Sequence, residues 1–197
     1  MTLPISSENC PETPAAVADL PCATCDTGLS LAAQEFDCRE FRDTLGSFAT
    51  GVTVITALAP NGERMGLTVS SFNSVSLDPP LILWSLSAEL PNLEAFRSAK
   101  HYSVNVLSAE QQDISNRFAA RSGDRFAGVA VRDGVNGVPL IEGCCASFEC
   151  VNQVQYPGGD HVIFVGRVER YTQGEAKLPL VFHGGRYREL LVSFGDD

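Results

Sequence analysis

A series of small hydroxylated side chains is the first group in this sequence that could bind a ligand. Two stretches carry it: residues 67–77, where polar and apolar side chains alternate, and the start of a short helix after the next apolar strand. Its members are Thr68, Ser70, Ser74, Ser76, Ser85 and Ser87, followed by Asn92. Such groups, with the unpaired N–H groups of a helix start, can hold an anion such as phosphate. The pattern alone leaves a second interpretation open, a solvated strand face followed by a helix cap.

The second group surrounds a histidine that follows a glycine turn. Residues 157–161 read Pro-Gly-Gly-Asp-His, and an apolar strand follows directly. Two glycines allow a backbone to approach a ligand closely. A histidine in that position, His161, can titrate near neutrality, donate hydrogen bonds to a bound molecule or act as an acid. The alternative is a surface histidine after a turn. His101 and His183 lack such a setting and are predicted to be structural.

Common catalytic and nucleotide-binding signatures are absent from the sequence. It contains no GxSxG, HExxH, GxxxxGK or GxGxxG pattern. A polar turn contains Arg125, which is a minor candidate for binding an anion and is otherwise a surface charge.

Seven cysteines do not form a recognisable metal site. Cys22 and Cys25 make one CxxC pair, but no second pair follows, and Cys10 and Cys38 stand at no standard spacing. We therefore predict no metal. A further set in an apolar stretch is predicted to be reduced core thiols. It comprises Cys144, Cys145 and Cys150.

Length, composition and charge narrow the class of protein. The 197 residues suit one domain, and 44% of them are hydrophobic. The net charge of −10 and the lack of a basic cluster argue against nucleic-acid binding. No apolar run approaches the roughly 20 residues that cross a bilayer, and the first 35 residues lack the basic start of a secretion signal. We therefore expect no membrane association and a cytoplasmic location.

The order of predicted elements indicates a mainly β domain. Residues 1–34, acidic and rich in proline, are predicted to be a disordered tail, and residues 35–197 to form the domain. Predicted helices span residues 35–45, 91–99 and 109–118. The first can place Phe36, Phe41 and Leu45 on one face and is predicted to end at Gly46. Predicted strands span residues 51–58, 67–77, 81–86, 102–107, 146–156, 161–171 and 178–182. The turn signal at residues 59–62 predicts that the first two strands form a hairpin. About seven strands with few helices predict a closed antiparallel barrel with helical attachments.

Six motifs in register indicate a family. They are residues 49–54 (ATGVTV), 66–76 (GLTVSSFNSVS), 78–80 (DPP), 103–107 (SVNVL), 159–161 (GDH) and 184–187 (GGRY). On these motifs residues 41–190 resemble the flavin reductase component of two-component flavin-dependent monooxygenases. This short-chain flavin reductase family includes the 4-hydroxyphenylacetate hydroxylase reductases. The resemblance does not cover the CxxC segment.

The resemblance implies an FMN-binding split β-barrel that forms a homodimer and binds FMN or FAD together with NADH or NADPH. Its expected flavin-binding residues are Thr50, Gly51, Val52, Thr53, Thr68, Val69, Ser70, Ser71 and Ser74. Ser85, Ser87 and Asn92 are expected near the phosphate or ribityl end. His161 is expected at the open side of the flavin, facing the nicotinamide, with Tyr187 in the same pocket. Asn105 and Arg125 are weaker candidates.

The activity that the resemblance implies is hydride transfer from NAD(P)H to flavin, which then supplies a separate monooxygenase. An alternative is a flavin-binding, electron-storage module of the same barrel type without nicotinamide turnover. A pyridoxamine-phosphate-oxidase-like barrel ranks last, because it is expected to have a more basic phosphate pocket. The sequence does not distinguish between FMN and FAD as the flavin, or between NADH and NADPH as the hydride donor.

Overall fold

The computed structural model describes residues 37–174 and 177–191 of the chain. The first helix, α1 (Cys38–Leu45), begins after Asp37, whose carboxylate accepts hydrogen bonds from the amides of Arg39 and Glu40. It ends at Gly46, as predicted. No residue of α1 is buried, so its predicted apolar face does not pack into the core of this chain. The predicted start of this helix and the predicted tail lie outside the described residues.

Seven antiparallel strands form the main sheet. They are β2 Thr53–Leu58, β3 Arg64–Val69, β4 Asn73–Leu77, β5 Pro80–Ser87, β6 His101–Val106, β9 Ala146–Gly158 and β10 His161–Gln173. Their order across the sheet is β3-β2-β6-β9-β10-β5-β4. The mainly β fold class is confirmed.

Smaller elements accompany this sheet. Two further helices are α2 (Leu93–Ser98) and α3 (Gln112–Ala119), the latter preceded by a 3-10 turn. Three short strands form a second sheet: β1 Thr50–Gly51, β11 Val181–His183 and β12 Arg186–Arg188. A two-stranded ladder joins β7 Val131–Asp133 and β8 Pro139–Ile141. The last predicted strand, residues 178–182, corresponds to β11, which begins at Val181, three residues later than expected.

The predicted hairpin between residues 51–58 and the following strand is confirmed. Strands β2 and β3 pair from Thr53 with Val69 to Leu58 with Arg64. The turn between them closes through the Gly62 amide, which donates to the Ala59 carbonyl at 2.8 Å. Gly62 has a φ of +82°, which is a conformation that glycine adopts without strain.

The prediction of one continuous strand over residues 67–77 is wrong. The chain leaves β3 at Val69 and starts β4 at Asn73, which lies at the opposite edge of the sheet. Alternation of polar and apolar side chains reports which way each residue faces, but it carries no information about the partner strand. Val75 and Leu77, predicted on the apolar side, are consequently exposed.

The strand order also shows that the prediction of a closed barrel, which was based on the number of strands, is wrong. Strands β3 and β4 are the two edges of the sheet and do not pair with each other. Among the described strands the barrel is therefore split, as the family resemblance implied.

Aromatic side chains on the inner face of β5 and β10 form the centre of the core. Trp84 stacks on Phe164 with ring centroids 4.3 Å apart and planes 8° apart. Phe96 and Tyr102 pack edge-on against Trp84. All four side chains are buried almost completely. This arrangement directs the alternate residues of both strands to the opposite, outer face.

Of the three cysteines predicted in the core, two are fully buried. Cys144 and Cys150 are buried, and burial raises the pKa of each thiol to about 12, which makes them unreactive. Cys145 is only half-buried, which corrects the prediction for that residue. Cys10, Cys22 and Cys25 lie outside the described residues.

No helix within the described ranges has the length and apolar character required to cross a membrane.

The contact between Gly166 and Tyr102 gives a stability prediction. A Cβ at Gly166 would overlap the Tyr102 hydroxyl and lie 3.2 Å from Cys150 Cβ. We expect Gly166→Ala to lower the free energy of unfolding by about 1–3 kcal/mol, because the surrounding core is closely packed. Urea denaturation measures this change. Gly51→Ala is the control, since a Cβ there meets no atom within 4 Å. Equal effects of the two substitutions would contradict the packing account.

Candidate functional site

A cavity of about 270 Å³ lies where β3, β5 and the start of β10 approach one another, and we call it the hydroxyl cavity. Seven of the residues singled out in the sequence line it: Thr68, Val69, Ser70, Ser71, Ser85, Ser87 and His161. Sequence reasoning missed the apolar part of its wall, formed by Leu67, Leu86 and Leu90. The cavity thus combines hydroxyl groups, one imidazole and an apolar rim.

The register between β5 and β10 explains why these residues meet. His161 pairs with Ser87, and Ile163 pairs with Ser85. Because paired residues of antiparallel strands point to the same face, both serines and the histidine share the outer face. The intervening Trp84 and Leu86 are buried. Core packing on one face therefore places the polar group on the other.

Three of the predicted hydroxyls are occupied by bonds within the protein. Thr53 donates to the Val69 carbonyl at 3.2 Å, and Thr68 donates to the Ser115 carbonyl at 2.7 Å. The Ser71 hydroxyl accepts from the Ser85 amide at 2.9 Å and donates to the Ser85 carbonyl at 3.1 Å. Ser71 thereby ties the segment between β3 and β4 to β5. These hydroxyls position the backbone of the site.

Other polar groups remain available to a ligand. Within the described residues, the hydroxyls of Ser70 and Ser85 make no hydrogen bond, and Ser87 accepts only a long one, 3.4 Å, from the Glu89 amide. Within the described residues, Thr50 Oγ1 and Asn92 Oδ1 are among the buried polar atoms that have no hydrogen-bond partner. Buried polar atoms normally have partners, so a ligand or a water can complete these two.

A carboxylate orients the imidazole of His161. Its Nδ1 lies 2.8 Å from Asp160 Oδ1. A carboxylate only accepts hydrogen bonds, so Nδ1 carries a proton and Nε2 is left to contact a ligand. The hydrogen bond from His161, together with its charge, lowers the pKa of Asp160. His101 lies outside the cavity, with its Nε2 4.0 Å from Glu169.

Several predicted residues do not line the hydroxyl cavity. Thr50 and Gly51 form β1, which pairs with β11. The Val52 side chain is buried in the core beside Leu107. Ser74 is exposed on β4.

Tyr187 and Asn105 hold elements together at other places. The Tyr187 hydroxyl contacts Ser115 Oγ at 2.8 Å and donates to Asn116 at 3.0 Å, which joins β12 to α3. Asn105 is fully buried and bonds to the backbone of Val54 and Ile141.

A second cavity, of about 310 Å³, lies beside β3, and we call it the arginine cavity. Its wall includes Arg64, Arg121, Arg125, Asn92 and Gly66. The next residue along β3, Leu67, lines the hydroxyl cavity, so the two cavities follow one strand. Sequence reasoning considered Arg125 alone, although Arg121 stands four residues before it in the same glycine-containing turn.

Comparison with known families gives one match that covers most of the chain. A model described as "Flavin reductase like domain" matches residues 45–191.

Curated relatives carry related names. The chain is 48% identical over 141 residues to a "Probable flavin reductase" of Rhizobium meliloti (strain 1021), which covers 72% of this chain and 45% of that protein. It is 46% identical over 149 residues to "FMN reductase (NADH) SmoA" of Agrobacterium fabrum (strain C58 / ATCC 33970), covering 76% of this chain and 84% of that protein. The chain therefore spans less than half the length of the first of these relatives.

A solved structure shares the fold. The NADH:FAD oxidoreductase SgcE6 of Streptomyces globisporus, in complex with NAD and FAD fragments, matches with a TM-score of 0.77 and 37% identity. The match covers 81% of this chain and 96% of that one.

Ser70 and Ser71, which are neighbours in the hydroxyl cavity, test whether hydroxyls bonded within the protein support the fold while unbonded ones do not. We expect Ser71→Ala to lower the free energy of unfolding by about 1–3 kcal/mol, because the half-buried Ser85 amide loses its acceptor. Ser70→Ala removes an exposed hydroxyl that has no partner among the described residues. We expect it to change the free energy of unfolding by no more than about 0.5 kcal/mol. Urea unfolding of both variants makes the comparison. A larger loss for Ser70→Ala would show that the division is wrong.

Proposed function

The chain belongs to the flavin reductase family, and on that premise we propose that it is an NAD(P)H:flavin oxidoreductase that supplies reduced FMN or FAD to a partner flavin-dependent monooxygenase. The observation that carries this proposal is the hydroxyl cavity, in which residues from two separate segments of the chain come together with His161. The names of the relatives, among them reductase components of monooxygenases, agree with it.

The residues of the site fit a flavin. Flavin nucleotides combine a planar ring system with a polyol chain. The apolar side chains of Leu67, Leu86 and Leu90 suit a ring, and the unpartnered oxygen of Asn92, in the neighbouring arginine cavity, can accept a hydrogen bond from a polyol hydroxyl. The free hydroxyls of Ser70 and Ser85 supply further donors. We therefore assign flavin contacts to this set.

The bound flavin supplies the reactivity by accepting a hydride from the reduced nicotinamide. The protein contributes position. His161 Nε2, the imidazole nitrogen that Asp160 leaves unoccupied, offers a hydrogen bond that orients the nicotinamide at the mouth of the cavity.

The charge of the hydroxyl cavity fits a flavin that leaves after reduction. No lysine or arginine belongs to the lining of this cavity, and His161 is its only titratable side chain among the described residues. Neutral hydroxyls hold a ligand less strongly than paired charges do. A moderate affinity allows reduced flavin to pass to a separate oxygenase.

We also propose that two copies of the chain associate, through an apolar patch on the outer face of the sheet. Cross-strand pairing brings Leu83, Val165 and Val154 into one row and Ile163 and Tyr156 into the next. These side chains are half-buried or exposed in the single chain. The rows continue into Ser85 and His161, so a second copy on this face would complete one wall of the site.

We expect the protein to act in the cytoplasm. Cys144, Cys145 and Cys150 are free thiols, as is usual in a reducing compartment.

Replacement of His161 tests the catalytic part of the proposal. We expect His161→Ala to lower kcat/KM for NADH by at least about tenfold, because the hydrogen bond that orients the nicotinamide is lost. Absorbance at the NADH band, with added FMN or FAD, measures the rate. His101→Ala is the control, since His101 lies outside the cavity. Unchanged turnover in His161→Ala would remove this residue from the mechanism. Flavin binding without NAD(P)H oxidation in the wild type would favour an electron-storage module.

Replacement of Tyr156 tests the association of two copies. We expect the wild type to be a dimer and Tyr156→Asp to shift it towards monomer, because a buried unpaired carboxylate is strongly unfavourable. Light scattering after gel filtration measures the mass. Tyr171→Asp, at the other end of the β9–β10 ladder, is the matched control. A monomeric wild type, or a variant that remains dimeric, would contradict the proposed face.

A further inference from the structure

Two carboxylates flank the mouth of the hydroxyl cavity. Glu89 stands between Ser87 and Leu90, which both line the cavity, and its amide donates to Ser87 Oγ at 3.4 Å. Asp160 directly precedes His161, whose imidazole also lines the cavity. The side chains of both acids are exposed. Both negative charges therefore face the solvent from which a ligand enters.

Backbone hydrogen bonds keep the loops of the two acids together. The Ala88 amide donates to the Asp160 carbonyl at 2.9 Å, one step beyond the pair of Ser87 with His161 in the β5–β10 ladder. The Leu90 amide closes the turn around Glu89 by donating to the Ser87 carbonyl at 3.3 Å. The two carboxylates therefore belong to one rim, and we call it the acidic rim.

No cation compensates the acidic rim. Among residues 37–174 and 177–191, no lysine or arginine forms an ion pair with Glu89 or Asp160. The hydrogen bond from His161 lowers the pKa of Asp160, so this carboxylate is ionised at neutral pH. Arg97, on the last turn of the following helix α2, is paired with Glu94 at 4.0 Å. The rim consequently keeps its negative charge.

The arginine cavity does not offset this charge. Its wall contains three guanidinium groups and two carboxylates. One of the three, Arg64, is also paired with Asp133 at 3.2 Å, and Asp133 lies outside the wall. Positive and negative side chains are therefore equal in number at that end of β3, while both acids of the rim are uncompensated.

The two nicotinamide dinucleotides differ in charge. NADPH is NADH with a phosphate ester on the adenosine ribose, and such an ester carries about −1.5 to −2 charges near neutral pH. The repulsion between like charges grows with their product, so a negative rim disfavours NADPH about twice as strongly as NADH. At an ionic strength of about 0.01 M this repulsion extends over about 30 Å. It therefore acts wherever on this face the adenosine lies.

We propose that the acidic rim selects NADH over NADPH, with the carboxylates of Glu89 and Asp160 repelling the additional phosphate of NADPH. The proposal rests on the proposed function, because it takes the mouth of the hydroxyl cavity as the place where the nicotinamide enters. The selection acts through long-range charge, so it requires no contact between a carboxylate and the phosphate. Its strength depends on ionic strength for the same reason.

Steady-state oxidation of NADH and NADPH by the full-length chain, with FMN held at one saturating concentration, tests this assignment. We expect the wild type at low ionic strength to show a kcat/KM at least about tenfold higher for NADH. Glu89→Gln is expected to lower this ratio at least about threefold, mainly through the KM for NADPH, and Glu89→Lys to lower it further. Glu89 is replaced rather than Asp160, because Asp160 also orients His161.

A matched substitution and a salt series distinguish local charge from a general effect. Glu142 is an exposed acid that shares a cavity with Thr172, at the end of the β9–β10 ladder far from His161. We expect Glu142→Gln to leave the ratio unchanged. Raising the ionic strength from about 0.01 M to about 1 M shortens the screening length from about 30 Å to about 3 Å. The wild-type ratio should then fall towards that of Glu89→Gln.

Four results would overturn the proposal. They are equal kcat/KM values or a preference for NADPH in the wild type, a ratio that neither Glu89 substitution changes, an equal change in Glu142→Gln, and a ratio independent of salt. In each case flavin-dependent oxidation of a reduced dinucleotide would continue, and the reductase function would stand. A wild type that oxidises neither dinucleotide in the presence of FMN or FAD would instead overturn the proposed function itself.

Discussion

The pairing of β5 with β10 is the constraint on which the rest of the site depends. On its inner face, Trp84 stacks on Phe164 and closes the core. On its outer face, the same ladder sets Ser85 and Ser87 beside Ile163 and His161. A shift of one residue in this register would expose the tryptophan and bury the histidine. The energy of core packing therefore determines where the polar groups of the cavity point, although none of them contributes to that packing.

Hydroxyl groups in the site serve two different purposes. Thr53, Thr68 and Ser71 bond to backbone atoms and hold the edges of the split barrel in place. Ser70 and Ser85 have no such partner among the described residues. The distinction matters because a hydroxyl has one proton to donate, and a group that already donates it to a carbonyl has none to offer a ligand. A row of similar side chains thus divides into a supporting part and a binding part.

Charge is distributed unevenly along β3. Neutral hydroxyls and one imidazole surround the part that begins at Leu67, and guanidinium groups surround the part that ends at Gly66. Arg125 links the two by donating to the Gly66 carbonyl.

The sequence by itself determined the mainly β class, the β2–β3 hairpin, the family and the serines and histidine of the hydroxyl cavity. Each of these depends on information within a short segment: alternation, a glycine turn or a motif. The split of residues 67–77 between two sheet edges, the burial of Val52 and the meeting of Arg121 with Asn92 were decided only by the tertiary structure. Those outcomes depend on which distant strand or turn supplies a partner, and a local pattern has the same appearance whichever partner it finds.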